Sequence, residues 1–292
     1  MKRLISAVAL CAALIAAPAS ADPILFGYAA VSCGLDDPHD TTDRVDYADE
    51  VADFTTANQV CITADADETA ARLARTAALF TPVFYIEPVF FSQSPRRLRP
   101  NPDADALWEY TVATIAASDV PADDLIFYLV DEPTLRRLPL SAVSAAARVI
   151  KGTFPNARIL MIEAFAPDDP VAIPAGVDIW GFNTYALRDP AADPAFIRQL
   201  ASARTALGPH QSLALIMDAQ YTPVHAAAGL TEADMADVAR AYARLARSTP
   251  EVSIMLGYTW AGGIDGPWEK GLRDLPQPVI AAHRQIGRAL RN

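Results

Sequence analysis

Phe127-Tyr128-Leu129-Val130-Asp131-Glu132-Pro133 is an apolar run that stops on two carboxylates and a proline. Apolar side chains in succession, without alternation, suit a strand covered on both faces. Proline lacks the N–H that a ladder needs, so the strand ends before Pro133. The stretch therefore reads as a buried parallel strand over residues 125–130, with its polar groups gathered at the C-terminal end.

The same pattern recurs on both sides. Apolar runs over residues 24–31, 59–63, 82–86, 158–162, 177–182, 212–217 and 253–258 read as further strands. Helices are expected over 42–54, 67–79, 103–117, 140–153, 194–207, 231–247 and 278–290, with Asp67 capping the second. Residues 92–102 read as a long Pro- and Arg-rich loop. The fifth-to-sixth connection carries Pro167, Pro170 and Pro174 and is too short for a regular helix. Eight strand–helix units in about 270 residues match a single α/β domain of the (β/α)8 TIM-barrel type over residues 22–292. A doubly wound open sheet is the alternative. It needs no eighth strand, and no Gly-rich phosphate loop follows the first strand.

Composition narrows the class. At 52% hydrophobic residues over 292, the chain can bury a large core and is too apolar for disorder. Lys2 and Arg3 precede an apolar run over residues 4–17, and Ala19-Ser20-Ala21 supplies small residues for a signal peptidase. Residues 1–21 are therefore expected to be a cleaved signal peptide, and the mature protein to be periplasmic or secreted, without a membrane helix. Cleavage removes Lys2 and Arg3 and no acid, which takes the formal charge from −11 to −13. Such an acidic chain is a poor partner for nucleic acid, since no basic patch would neutralise phosphates. Cys33 and Cys61 remain; the compartment permits a disulfide between the first two strands, and two buried free thiols are the alternative.

In this architecture the chemistry gathers at the C-terminal ends of the strands. Those ends read Ser32 and Asp36, Asp65, Glu87, Asp131-Glu132, Glu163, Asn183 and Tyr185, Asp218 and Gln220, and Trp260. Six of the eight close on a carboxylate, with Tyr221 and Tyr258 nearby. Carboxylates accept hydroxyl hydrogen bonds, and aromatic faces pack on the apolar faces of sugar rings. The ring thus suits a neutral, hydroxyl-rich ligand. Asp36, Asp65 and Asp67 serve equally well as caps of the following helices.

Asp131-Glu132-Pro133 resembles the Asn-Glu-Pro that ends strand four in the large clan of retaining (β/α)8-barrel glycoside hydrolases. The resemblance implies a general acid/base role for Glu132 and a sugar contact for Asp131. Trp260, in Gly257-Tyr258-Thr259-Trp260, resembles the clan's strand-eight tryptophan, which implies a platform beneath the sugar. Strand seven departs from the clan: Asp218 stands where the nucleophilic Glu is expected. The shorter side chain could widen a gap that is about 5–5.5 Å in retaining sites and about 6.5–9.5 Å in inverting ones.

Glu132 as proton donor and Asp218 as nucleophile or base is accordingly the expected catalytic pair, with Glu163 and Glu87 as competing partners. Asp131 and Asn183 are expected to hold sugar hydroxyls, Tyr185 and Tyr221 to orient the second carboxylate, and Trp260 to stack under the ring. No cofactor or metal is expected: no Cys/His cluster has zinc spacing, no His ends an expected strand, and calcium is unmotivated. A Ser or Cys triad is unsupported, since no Gly-x-Ser-x-Gly occurs. The alternative function is a non-catalytic carbohydrate-binding barrel.

Overall fold

The structure is a computed structural model describing residues 23–92 and 97–291. The expected signal peptide lies outside the described residues. Eight parallel strands run in the order β1-β8-β7-β6-β5-β4-β3-β2. They are β1 Leu25–Tyr28, β2 Ala57–Cys61, β3 Thr81–Tyr85, β4 Ile126–Asp131, β5 Arg158–Ala164, β6 Ile179–Asn183, β7 Ser212–Asp218 and β8 Val252–Tyr258. This is the expected barrel, and an open sheet does not describe it.

Six long helices cover the outside: Ala66–Ala77, Ala104–Ala117, Leu140–Thr153, Pro194–Ala206, Met235–Ser248 and Gln277–Leu290. The first expected helix shrinks to the single turn Ala48–Val51. The cap of the second is Asp65, whose carboxylate accepts the Glu68 N–H at 3.0 Å; Asp67 sits in the first turn. The fifth-to-sixth connection carries no helix, as its prolines require.

Alternation along the strands separates two apolar layers. Ile126, Leu160, Ile179, Ile216 and Ile254 belong to the cluster that fills the barrel. Phe127, Met161, Leu215 and Met255 belong to the larger cluster between strands and helices. Branched residues on the inside give the barrel a packed centre rather than a pore.

The β1–β2 seam is built differently. Between these strands the described residues form no continuous backbone ladder: one isolated bridge joins Ser32 and Val60, and the Thr56 N–H donates to the Phe26 carbonyl at 2.7 Å. Side chains replace the missing ladder. The N–H groups of Phe26, Tyr28 and Ala30 donate to Thr56 Oγ1, Asn58 Oδ1 and Gln59 Oε1 at 2.8, 3.0 and 2.9 Å. Gly27 makes the close approach possible, since a Cβ there would fall 1.3 Å from the Ala57 carbonyl oxygen. Above the seam, Cys33 and Cys61 form a disulfide with Cα atoms 4.6 Å apart. It resolves the choice between bridge and free thiols.

The disulfide closes a span of 28 residues, which on the chain-entropy account stabilises the fold by roughly 3.5 kcal/mol. Replacing both cysteines by serine should lower the unfolding free energy in urea by about that amount. A loss under about 1 kcal/mol would mean that the side-chain hydrogen bonds close the seam unaided.

Candidate active site

The end of β4 is shaped by a bulge. Register along β5 slips between Tyr128 and Val130, so Leu129 and Val130 both face the helices. Strict alternation would have aimed Val130 into the barrel; with the extra residue, Asp131 takes that direction. Glu132 follows with φ of 46°, a left-handed conformation that costs a non-glycine residue about 1–3 kcal/mol. Its N–H donates to the Ile162 carbonyl at 2.8 Å, which keeps β4 paired with β5 through the turn.

Glu87 and Arg136 hold this turn from behind. Glu87 is fully buried, and Arg136 Nη1 reaches both of its carboxylate oxygens at 2.8 and 2.9 Å. Glu87 also accepts the Asp131 N–H at 2.9 Å, and Arg136 donates to the Asp131 carbonyl at 3.2 Å. The expected site residue Glu87 is therefore a brace and does not line the cavity.

A cavity of about 390 Å³ opens at the C-terminal ends of the strands, within the usual range for small-ligand sites. Asp131, Glu132, Asn183 and Tyr185 line it. Among the described residues, no hydrogen bond or ion pair engages the Glu132 carboxyl. Asp131 differs: Tyr128 donates its hydroxyl to Asp131 Oδ1 at 2.7 Å. Burial, aided by the Glu132 and Glu87 charges, raises the Asp131 pKa to about 7 against the opposing Tyr128 hydrogen bond. Burial also pushes the Tyr128 and Tyr185 phenols up, so both remain hydrogen-bond donors at neutral pH. Tyr185 packs on Tyr258 with ring centroids 5.5 Å apart.

Asp218 occupies a different setting. It is fully buried and does not line the cavity. The short helix Pro223–Ala227 brings His225 back over the end of β7. The Thr222 N–H donates to His225 Nδ1 at 3.0 Å, leaving Nε2–H to donate to Asp218 at 2.9 Å. Ala186, at φ of 61°, adds its N–H at 2.7 Å. Burial raises the Asp218 pKa while these donors oppose the rise.

The remaining expected residues also lie outside the cavity lining. Glu163 accepts the Thr134 hydroxyl at 2.7 Å and its neighbour's N–H at 3.0 Å. The Tyr221 hydroxyl donates to the Leu230 carbonyl at 2.9 Å, so it orients a loop rather than a carboxylate. Trp260 is 2% exposed, its ring packed on Tyr28 and Phe54 and its indole N–H bonded to Glu50 at 2.8 Å. It offers a sugar no free face.

Sequence reading missed Gln59, Tyr85, Tyr128 and Asp265, all of which line the cavity. Tyr85 stands two residues before Glu87, so period-two counting could have found it; Tyr128 lies three residues before Asp131 and shares its face only through the bulge, so the same count passes over it. His225 was missed because it follows β7 by seven residues; Thr222-Pro223 before it is a helix-start signal.

Solved structures share this fold. A β-1,4-mannanase of family GH113 superposes with TM-score 0.59 at 11% identity, over 92% of this chain and 98% of that one. Xylanase 10B from Thermotoga maritima gives 0.58 at 13%, over 92% and 96%. A β-glucuronidase from Bifidobacterium dentium gives 0.58 at 12%, over 90% of this chain; the present chain spans about half, 46%, of its length. The likeness is one of fold. No protein-family model matches the chain, and no curated protein matches it by sequence.

Two outcomes follow from the carboxyl environments. An aspartate in the unfolded chain ionises near pH 4, whereas Asp131 in the fold keeps its proton to about 7. Rising pH across that window therefore destabilises the folded state relative to the unfolded one. Asp131→Asn removes this loss, so its melting temperature should gain on the wild type as pH climbs from about 5 to about 8. A pH-independent difference would contradict the raised pKa. Separately, His225→Ala leaves Asp218 buried with only backbone donors, and should cost about 3 kcal/mol in urea unfolding.

Proposed function

We propose that this protein is a glycoside hydrolase acting on an oligo- or polysaccharide, with Glu132 as the proton donor. The observation that carries the reading is the state of Glu132. It directly follows β4, lines the cavity on a strained backbone, and keeps a carboxyl that no other described residue engages. A positioned but unpaired acid at a barrel mouth is arranged for a ligand. The barrel glycosidases that share the fold support the same reaction class.

The neighbouring groups suit a sugar. Protonated Asp131 can donate to a hydroxyl as an amide would, while Asn183 offers both a donor and an acceptor. Tyr85, Tyr128, Tyr185 and Tyr258 give flat walls whose hydroxyls remain protonated. Export to the periplasm or beyond fits the leader-like start of the chain and the Cys33–Cys61 disulfide, which an oxidising compartment preserves.

A second reading is a carbohydrate-binding barrel without turnover. The enclosure of Asp218 favours it, because the strand-seven carboxylate that would complete the retaining pair is held by His225.

A panel of soluble glycans, read by reducing-end release and by calorimetry, separates the two. A hydrolase should lose roughly 10²–10⁴-fold in kcat on Glu132→Gln while still binding the substrate. Binding without release in both proteins would select the second reading. Equal turnover by both would remove Glu132 from the chemistry.

A further inference from the structure

If Glu132 is the proton donor, the reaction needs a second carboxylate, and β7 does not provide a free one. The cavity lining contains three carboxylates among the described residues: Asp131, Glu132 and Asp265. Asp131 is adjacent to Glu132 on the same strand end and is occupied by Tyr128. Asp265 comes from elsewhere, on the loop that follows β8.

Topology places that loop. In the sheet order β1-β8-β7-β6-β5-β4-β3-β2, β4 and β8 are four positions apart. In an eight-stranded barrel this makes them opposite walls. A ligand in the cavity therefore lies between the end of β4 and the loop after β8.

The loop is built to present its tip. Gly263 and Gly266 flank Ile264 and Asp265 at φ of 88° and 151°, a backbone that side chains disfavour. A Cβ on Gly262 would fall 2.4 Å from the Glu269 carbonyl, so the loop base is closely packed. The Asp265 N–H donates to the carboxylate of buried Glu269 at 2.8 Å. Tyr258 also lines the cavity, and the nearby Asp265 charge helps to keep its phenol protonated. Asp265 itself remains exposed to solvent, as a group that must take up water requires.

We infer that Asp265 is the second catalytic carboxylate, acting as the general base of an inverting hydrolysis with Glu132 as the acid. The proposal rests on the glycoside hydrolase reading above. Inverting pairs stand about 6.5–9.5 Å apart to admit a water, which suits carboxylates on facing walls. Asp265 takes one proton from that water as the water oxygen bonds to the anomeric carbon. The bond from this carbon to the leaving oxygen breaks, and the leaving oxygen takes the proton of Glu132. The products are the sugar of opposite anomeric configuration and the free alcohol. Solvent then returns the proton from Asp265 to Glu132.

The test uses the full mature protein and a glycan that the wild type cleaves. Asp265→Asn should lower kcat roughly 10²–10⁴-fold with KM little changed. Asp265→Glu should recover part of the rate, because it keeps the carboxylate and disturbs the loop equally. Proton NMR of early product should show inversion. Wild-type kcat in Asp265→Asn, no recovery in Asp265→Glu, or a product of retained configuration would overturn the assignment. If Glu132→Gln abolishes turnover while Asp265→Asn does not, this inference alone fails. If Glu132→Gln is as active as the wild type, or the wild type cleaves no glycan, the underlying reading fails with it.

Discussion

The buried ion pair of Glu87 and Arg136 governs the geometry of the site. Both partners also bond to the backbone of Asp131, one to its N–H and one to its carbonyl. A bulged strand end lacks part of its ladder, so its polar groups need other partners. The pair supplies them and fixes the direction of the chain just before Pro133. The left-handed Glu132 can persist because its neighbours on both sides are bound. Removing one partner would leave a buried charge and a loose turn together.

Closure of the barrel rests on a comparable substitution of side chain for backbone. At the β1–β2 seam, Thr56, Asn58 and Gln59 accept N–H groups that a ladder would have paired. Gln59 belongs to the cavity wall as well as to the seam, and so do Cys33 and Cys61. The shape of the pocket on that side thus depends on polar side chains and one covalent link rather than on a continuous sheet. Such bonds are short-range and directional, which makes this wall sensitive to single substitutions.

The two carboxylates on β4 and β7 show how environment divides roles. Asp218 has its hydrogen-bond capacity filled by an imidazole and by backbone donors, away from solvent. Glu132 has none of that and faces open volume. Equivalent positions in the strand order therefore do not carry equivalent chemistry. Satisfied groups hold the fold, and the unsatisfied one is available to a ligand.

The sequence by itself determined the barrel, because uninterrupted apolar strands alternating with amphipathic helices admit few other arrangements. It also placed Glu132, Asp131, Asn183 and Tyr185 at strand ends, since proline and polar residues mark where burial stops. Which strand-end side chains face the ligand was decided only by tertiary structure. A one-residue bulge turned Asp131 inward, and no period in the sequence announces it. His225 folded back from beyond its strand and enclosed Asp218. Trp260 was drawn under helices by Tyr28 and Phe54 because its large apolar area gains more from burial than from exposure. Asp265 reached the cavity from a glycine-shaped loop whose path no strand pattern encodes. Local sequence sets where an element ends; contacts between distant residues set the direction of its last side chains.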